Sequence, residues 1–203
     1  MAGLCLAAGA SSRMGYPKQL LPWGESTLLQ TSVRTLLQTP LSCCTVVLGA
    51  NVPAVAASLQ AFAADARFSA VINERWADGM ATSLVAGLRS LLAREASGSA
   101  YLGVLIALGD MPLVESGLIA ALIGELKKRG SAAIVAPVYN GQRGHPVLIG
   151  RAYWDELLQL SGDKGASAVL KRHSDQLHLV PATASVLSDI DTREQWRQHR
   201  PLS

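Results

Sequence analysis

The stretch YLGVLIALGD, residues 101–110, constrains the fold more than any other part of the sequence. Its apolar residues follow one another without the polar alternation of a strand that has one face in water. An unbroken run of this length is typical of a strand that other elements cover on both faces. We therefore predict a central strand in a sheet that carries helices on its two sides.

Strand-length apolar runs alternate with amphipathic stretches along the rest of the chain. The apolar runs are GLCLAA (3–8), CCTVVLGA (43–50), FSAVIN (68–73), AAIVAPVY (132–139), HPVLIG (145–150) and LHLVP (177–181). The stretches between them predict helices over 26–38, 53–65, 79–95, 116–129, 153–160 and 166–173, with a short final helix from Thr192. Alternation of this kind predicts a single α/β domain over 1–203, with a mostly parallel central sheet flanked by helices.

Composition and charge exclude several classes of protein. The 203 residues carry a formal net charge of +3 and no block of five or six like charges, so we expect no nucleic-acid partner. No run of about 18 apolar residues occurs, and the N-terminus does not begin like a signal peptide. We therefore expect a cytoplasmic protein with no membrane partner.

Cysteine and histidine usage predicts neither disulfides nor a zinc site. Cys5, Cys43 and Cys44 fall inside predicted strands, where they are expected to be small buried side chains in a reducing compartment. The four histidines are scattered through the chain without the spacing of metal ligands.

The loop LAAGASSRMGYPK (6–18) follows the first predicted strand, where α/β sheets bind their ligands. Its glycine spacing matches neither the dinucleotide fingerprint nor the P-loop. Small residues there would let backbone amides approach a ligand closely. Arg13 could hold phosphates with two parallel hydrogen bonds and Lys18 as a point charge, which predicts a triphosphate site. The alternative is a glycine turn with two solvated cations.

Acidic side chains follow two predicted strands. Asp110 lies two residues past the central strand, where Mg²⁺ bound to a triphosphate would compensate its charge. Asp189 and Asp191 in VLSDIDT are two residues apart on a predicted strand, and so project to one face. One of these two, with Asp189 preferred, would complete the metal site. In the alternative, Asp110 and Asp191 each cap the helix that follows.

The loop at 6–18 resembles the signature loop of the MobA-like nucleotidyltransferases, and its Ala7-Ala8-Gly9 form is similar to that of the molybdenum cofactor cytidylyltransferases. Further motifs stand in the order typical of that family: GMATSL (79–84), GDMP (109–112), RGHPV (143–147), GDKGA (162–166) and DIDT (189–192). The resemblance implies a Rossmann-like nucleotidyltransferase fold. It also implies a nucleotide-binding part over about 1–112 and an acceptor-binding part over about 113–203.

The resemblance implies roles for particular residues. The nucleotide would contact Leu6, Ala7, Ala8, Gly9, Arg13, Lys18, Gly79 and Ser83. The metal would be held by Asp110 and by one of Asp189 and Asp191. The acceptor would contact Arg143, Gly144, His145 and Asp163. Arg13, Lys18 and Asp110 would be the catalytic residues. The residues alone leave open that 79–83 is an ordinary helix start and that Asp163 only caps a helix.

The activity that the resemblance implies is Mg²⁺-dependent transfer of CMP from CTP to the terminal phosphate of molybdopterin or of molybdenum cofactor, with release of pyrophosphate. A recipient molybdoenzyme is a further candidate partner, and a monomer or weak dimer is expected. Three alternatives stay open. They are guanylyl transfer from GTP to the same acceptor, nucleotidyl transfer to a sugar or polyol phosphate, and a non-catalytic carrier of the pterin.

Overall fold

The computed structural model describes residues 1–12, 14–95, 98 and 100–201. The strands are β1 (Ala2–Leu6), β2 (Pro22–Trp23), β3 (Ser26–Thr27), β4 (Cys43–Leu48), β5 (Phe68–Ile72), β6 (Gly103–Leu108), β7 (Ile134–Tyr139), β8 (Gln142–Arg143), β9 (Val147–Gly150) and β10 (Leu177–Pro181). The helices are α1 (Leu28–Leu37), α2 (Val52–Ser58), α3 (Met80–Glu95), α4 (Ser116–Arg129), α5 (Trp154–Leu157), α6 (Ser167–Arg172) and α7 (Arg193–His199).

One eight-stranded sheet forms the centre of the molecule. Its order is β10-β7-β9-β6-β1-β4-β5, with β8 paired to β7, while β2 and β3 make a separate hairpin. The pairs β1–β4, β1–β6, β4–β5 and β7–β10 are parallel, whereas β8 and β9 run antiparallel to their neighbours. The predicted α/β fold with a mostly parallel sheet is therefore confirmed.

Helices cover both faces of the sheet, as the unbroken apolar run at 101–110 predicts. One core contains residues of α1, α2 and α4 together with β6: Leu29, Val55, Leu122 and Leu105 are examples. The core on the other face contains residues of α3, α5 and α6 together with β6: Leu88, Leu157, Leu170 and Ile106 are examples. Leu105 and Ile106 are adjacent in β6 and both fully or almost fully buried, so this strand anchors both cores.

The order of the strands reverses beside β1. The chain passes from β1 to β4 and β5 on one side, and then returns to β6 on the other side. Leu6, the last residue of β1, pairs with Leu108, the last residue of β6. The loops that follow these two strands therefore start at the same edge, at the kind of position where open α/β sheets bind ligands.

Several predicted boundaries are wrong for identifiable reasons. The first helix starts at Leu28 and not at Ser26, because Thr27 caps it and exchanges hydrogen bonds with Gln30. The helix predicted over 53–65 ends at Ser58 and continues as a 3₁₀ turn. The strand predicted at VLSDID is absent from this described segment, which has a 3₁₀ turn over Ala184–Leu187 and then an extended chain outside the sheet.

The cysteines are buried in strands, as the sequence predicts. Cys5 lies in β1 and Cys43 and Cys44 lie in β4, and all three are buried free thiols. Burial raises the pKa of the Cys44 thiol to about 12, with the nearby Cys43 adding to the effect. No helix in the described ranges is long and apolar enough to cross a bilayer.

Gly87 allows α3 to lie close to the sheet. A Cβ atom at this position would lie 2.2 Å from Leu4 Cδ1 and 2.9 Å from Val47 Cγ2. We expect Gly87→Ala to lower the free energy of unfolding by about 1–3 kcal/mol, because overpacking moves α3 away from β1 and β4. Urea denaturation measures the change.

Gly124→Ala in α4 is the matched control. No described atom lies within 4 Å of a Cβ built at Gly124. The same substitution there should raise the free energy of unfolding by about 0.5–1 kcal/mol, because alanine loses less conformational freedom in a helix. Equal effects of the two substitutions would contradict a packing role for Gly87.

Candidate active site

A cleft lies at the carboxyl edge of β1 and β6, at the reversal of strand order. Its empty volume, including open space at the mouth, is about 1250 Å³. The residues predicted to contact a nucleotide and metal that line it are Leu6, Ala7, Ala8, Gly9, Lys18, Gly79, Ser83, Asp110, Asp189 and Asp191. Arg13 lies outside the described residues, so its role stays a prediction. The structure thus brings together side chains that are far apart in the sequence.

Gln19 holds the loop after β1 in shape. Its buried amide Nε2 donates to the carbonyl oxygens of Ala7 at 3.0 Å and Gly9 at 2.8 Å. Its Oε1 accepts a hydrogen bond from Ser11 Oγ at 3.3 Å, and the backbone N–H of Lys18 donates to the same hydroxyl at 3.0 Å. The two ends of the loop are therefore tied to each other through one glutamine and one serine.

Lys18 lies between two carboxylates. Its Nζ donates to Asp110 Oδ2 at 2.5 Å and to Asp191 Oδ1 at 2.6 Å. Burial lowers the pKa of Lys18, but the attraction and hydrogen bonds of Asp110 and Asp191 outweigh it, so the pKa is raised overall. Lys18 is therefore an ammonium at neutral pH, and its charge compensates the two carboxylates.

Asp110 keeps one oxygen for another partner. Its Oδ1 is buried and has no hydrogen-bond partner among the described residues, an arrangement that is costly for a carboxylate. Asp110 does not cap the next helix, because α4 begins at Ser116, after Glu115. The capping alternative for Asp110 is therefore wrong.

The segment at 189–191 enters the cleft without joining the sheet. The N–H of Ile190 donates to the backbone oxygen of Asp110 at 3.0 Å, and the Ile190 side chain is buried with Trp23 and Leu28. Asp189 and Asp191, on either side of this anchor, both line the cleft. Thr192 caps α7 and exchanges hydrogen bonds with Gln195, so the capping alternative for Asp191 is wrong as well.

The start of α3 packs against the loop that contains Asp163. Gly79 has a φ of +112°, and a Cβ there would lie 2.6 Å from the Gly162 carbonyl oxygen and 2.7 Å from Asp163 Oδ1. The N–H of Ala81 donates to the same carbonyl at 3.0 Å. Asp163 consequently lines the cleft beside Gly79. It does not cap α6, whose N-cap is Ala166, and its predicted acceptor contact stays a prediction.

A second pocket adjoins the cleft and shares the side chains of Leu6, Met80 and Leu108 with it. Its empty volume is about 700 Å³, and much of its wall is apolar. Three of the four residues predicted to contact the acceptor lie here, namely Arg143, Gly144 and His145, and Lys164 lies here as well. Position 144 requires glycine because the backbone of Val186 lies close to it. A Cβ at Gly144 would lie 2.2 Å from the Val186 carbonyl oxygen.

Sequence reasoning missed Gln19 and Asn73. Asn73 directly follows β5, and its Nδ2 donates to Thr82 Oγ1 at 2.8 Å and to the buried Ser83 Oγ at 3.0 Å. Its position at a strand end was a usable signal, because the cleft residues after β1 and β6 also directly follow strands. Gln19 offered none, since a glutamine after a lysine has no distinctive pattern.

Comparison with known families agrees with this geometry. The family described as the MobA-like NTP transferase domain matches residues 3–177. The chain belongs to this family. The predicted class, a nucleotidyltransferase, is confirmed at that level, and so is the resemblance on which it rests.

Two curated relatives match almost the full length of the chain. Nicotine blue oxidoreductase of Paenarthrobacter nicotinovorans is 30% identical over 201 residues, which is 95% of this chain and 93% of the relative. Molybdenum cofactor cytidylyltransferase of Escherichia coli K12 is 26% identical over 190 residues, or 94% and 90%.

Solved structures share the whole fold. The homologue of Mycobacterium tuberculosis Rv0371c from Mycobacterium sp. strain JC1 has a TM-score of 0.80 and 27% identity, and covers 97% of this chain and 93% of that one. The M. tuberculosis protein in complex with manganese has a TM-score of 0.73 and 28% identity, with 97% and 96% covered. A nucleotidyl transferase of Methanothermobacter, at 20% identity and a TM-score of 0.79 over 98% and 95% of the chains, shows the fold alone.

Gln19→Leu tests whether the hydrogen bonds of the Gln19 amide hold the loop after β1. Leucine keeps the approximate volume but leaves the carbonyls of Ala7 and Gly9 without their donor. We expect the free energy of unfolding to fall by about 1–3 kcal/mol and amide hydrogen exchange in the loop to accelerate. Gln60→Leu, at an exposed glutamine in the 3₁₀ turn after α2, should change neither quantity appreciably.

The buried His145 is expected to make the free energy of unfolding depend on pH. Burial lowers its pKa, although the Ile106 carbonyl and the charges of Asp110 and Asp189 partly oppose the shift. The unfolded chain therefore binds a proton on His145 more readily than the folded one, so the free energy of unfolding should fall as pH drops below about 6.5. His145→Gln should flatten this pH dependence in urea denaturation between about pH 5 and 7. An unchanged slope would show that the histidine does not contribute.

Proposed function

We propose that the protein transfers CMP from CTP to the terminal phosphate of molybdopterin or of its molybdenum-loaded form, with release of pyrophosphate. The observation that carries the proposal is the shared position of Lys18, Asp110 and Asp191 in a cleft whose wall is the small-residue loop after β1. A relative in the same family, 26% identical over most of the chain, is a molybdenum cofactor cytidylyltransferase. This relative supports both the base and the acceptor of the proposal.

The loop and Lys18 suit a triphosphate. Ala8, Gly9 and Ala10 line the cleft with little side chain between the backbone and a ligand. Backbone amides and an ammonium are the donors that phosphate oxygens accept most readily. Gln19 fixes the shape of this loop before any ligand arrives, which lowers the entropic cost of binding.

The carboxylates fit Mg²⁺. Asp110 and Asp191 offer hard oxygen ligands, and the buried Oδ1 of Asp110 still lacks a partner in the described chain. We infer that Asp110 and Asp191 hold the ion. Asp191 takes precedence over Asp189, which the sequence favoured, because Asp191 shares Lys18 with Asp110. The solved manganese complex of a 28% identical relative supports a divalent ion. When bound, the ion neutralises charge on the triphosphate.

The chemical work left to the chain is positioning and charge compensation. The acceptor phosphate attacks the α-phosphorus of CTP in line, the bond to the bridging oxygen breaks, and pyrophosphate leaves with the electron pair. Lys18 compensates the charge of the triphosphate. His145, whose lowered pKa keeps it neutral, is not required as a base because a phosphate monoester dianion carries no proton to remove.

The second pocket suits the acceptor. Its apolar wall can cover a flat ring system, and Arg143 and Lys164 at its rim can meet a phosphate. The shared wall of Leu6, Met80 and Leu108 would place the acceptor beside the triphosphate. The division into a nucleotide part over 1–112 and an acceptor part over 113–203 then holds only loosely, because Asp163, Asp189 and Asp191 line the cleft.

Other activities are outcomes of the same test. A 30% identical relative is an oxidoreductase, but electron transfer does not by itself require two carboxylates and a lysine beside a small-residue loop. Guanylyl transfer would require different contacts to the base of the nucleotide. Transfer to a sugar or polyol phosphate would require a different acceptor in the second pocket. A pure carrier would bind the pterin without releasing pyrophosphate. The recipient molybdoenzyme, the cytoplasmic location and the monomer or weak dimer stay predictions.

The first experiment measures pyrophosphate release with Mg²⁺ and molybdopterin, comparing CTP, GTP, ATP and UTP. Release with CTP alone is the expected result. Release with GTP alone would contradict the proposed specificity for CTP. No release with any of the four nucleotides, from folded protein, would contradict the proposed nucleotidyl transfer. A parallel assay with nicotine blue and a two-electron donor or acceptor should show no turnover, since we expect no oxidoreductase activity.

Asp110→Asn tests the metal carboxylate. The amide keeps the shape but loses the charge, so we expect the rate of pyrophosphate release to fall by about 100-fold or more. Asp155→Asn, at an exposed aspartate on α5 away from the cleft, is the matched control and should retain the rate of the unaltered protein. A near-normal rate in Asp110→Asn would remove Asp110 from the metal site.

A further inference from the structure

Lys18 occupies the position that a cation must hold between the carboxylates. The ammonium is 2.5 Å from Asp110 Oδ2 and 2.6 Å from Asp191 Oδ1. The three side chains are 16%, 18% and 30% exposed for Lys18, Asp110 and Asp191, so water screens their charges only partly. Two carboxylates this close repel each other strongly unless a cation compensates them.

The proposed reaction gives Lys18 a third partner besides Asp110 and Asp191. A triphosphate in the cleft offers its oxygens to the same ammonium, and a divalent ion on Asp110 and Asp191 would occupy the space that the ammonium fills. Lys18 and the ion therefore compete for one pair of carboxylates. The competition ends when phosphate oxygens accept the ammonium.

The geometry points to Lys18 as a built-in substitute for the divalent ion. We propose that in the nucleotide-free protein Lys18 excludes free Mg²⁺ or Mn²⁺ from Asp110 and Asp191, and that the ion enters together with the triphosphate, which draws the ammonium away. The inference rests on the proposed function for the identity of the triphosphate. It goes beyond that function in assigning an order of binding.

The local structure allows this exchange with little cost elsewhere. The N–H of Lys18 is held by Ser11 Oγ, and Gln19 is fixed to the loop, so the backbone at this position stays in place. Movement is confined to the four-carbon side chain of lysine, which is flexible and carries a compact point charge. The negative charges of Asp110 and Asp191 are then compensated by the Lys18 ammonium before the nucleotide binds and by the divalent ion afterwards.

Direct titration with Mn²⁺, followed by electron paramagnetic resonance, tests the proposal without any turnover. The unaltered protein should bind Mn²⁺ weakly alone and more tightly by about tenfold or more in the presence of a non-hydrolysable CTP analogue. Lys18→Met should raise the affinity for Mn²⁺ alone by about tenfold or more, because the competing cation is removed. Lys128→Met, at an exposed lysine on α4, makes the same change of charge as a control and should leave the affinity unchanged.

Two results would overturn the proposal. One is Mn²⁺ binding to the unaltered protein alone as tightly as with the analogue. The other is folded Lys18→Met, checked by circular dichroism, that binds Mn²⁺ no better than the unaltered protein. If Lys18→Met does not fold, Lys18→Gln, which also removes the charge but keeps a polar side chain, replaces it in the same titration and should show the same gain. Adding Asp110→Asn to Lys18→Met should abolish the gain, which locates the ion at this pair.

Failure of this inference is distinguishable from failure of the proposed function. Suppose that Lys18→Met binds Mn²⁺ more tightly but the unaltered protein releases pyrophosphate from no nucleotide. This result would support Lys18 as a substitute for the ion and would contradict the proposed reaction. Pyrophosphate release by the unaltered protein, with Mn²⁺ affinity independent of nucleotide, would keep the reaction and overturn the substitute role.

Discussion

The parallel pairing of β1 with both β4 and β6 determines where everything else in the site can be. Because Leu6 and Leu108 end their strands in register, the segments that begin at Ala7 and Gly109 leave the sheet side by side. The backbone hydrogen bond between Ile190 and Asp110 then fastens the distant DIDT segment to the one that begins at Gly109. Lys18 meets Asp110 and Asp191 because this backbone contact joins the two acidic segments, while Ser11 and Gln19 hold the backbone around Lys18.

Charge balance at this edge follows from that placement. Four aspartates are among the described residues that line the cleft, and two of them contact Lys18, which ends the small-residue loop. A partly buried set of carboxylates is tolerated only while a cation compensates it. The site is therefore arranged around a cation as much as around an anion, and this makes its electrostatics dependent on which cation is present.

The sequence predicts the elements well where burial alone decides them. The unbroken run at 101–110 has the composition that a doubly covered strand requires, and the residues that follow strands do converge on one edge. The contacts that determine the site could not be predicted in the same way. The approach of Asp191 to Lys18 depends on Ile190, which packs with Trp23 of β2 and Leu28 of α1. The role of Gln19 depends on the shape of a loop, which no sequence periodicity predicts. The antiparallel direction of β9 could not be predicted either, because its apolar residues are equally typical of a parallel strand.

Gln19 holds the loop entirely through main-chain carbonyls and one hydroxyl, and this has an evolutionary consequence. The hydrogen bonds to Ala7 and Gly9 do not depend on which side chains those positions carry. A lining residue such as Ala8 can then be exchanged for another small residue while the loop keeps its shape. A clamp of this kind would let descendants of one ancestral protein diverge in the base they select without first losing the ability to hold its phosphates.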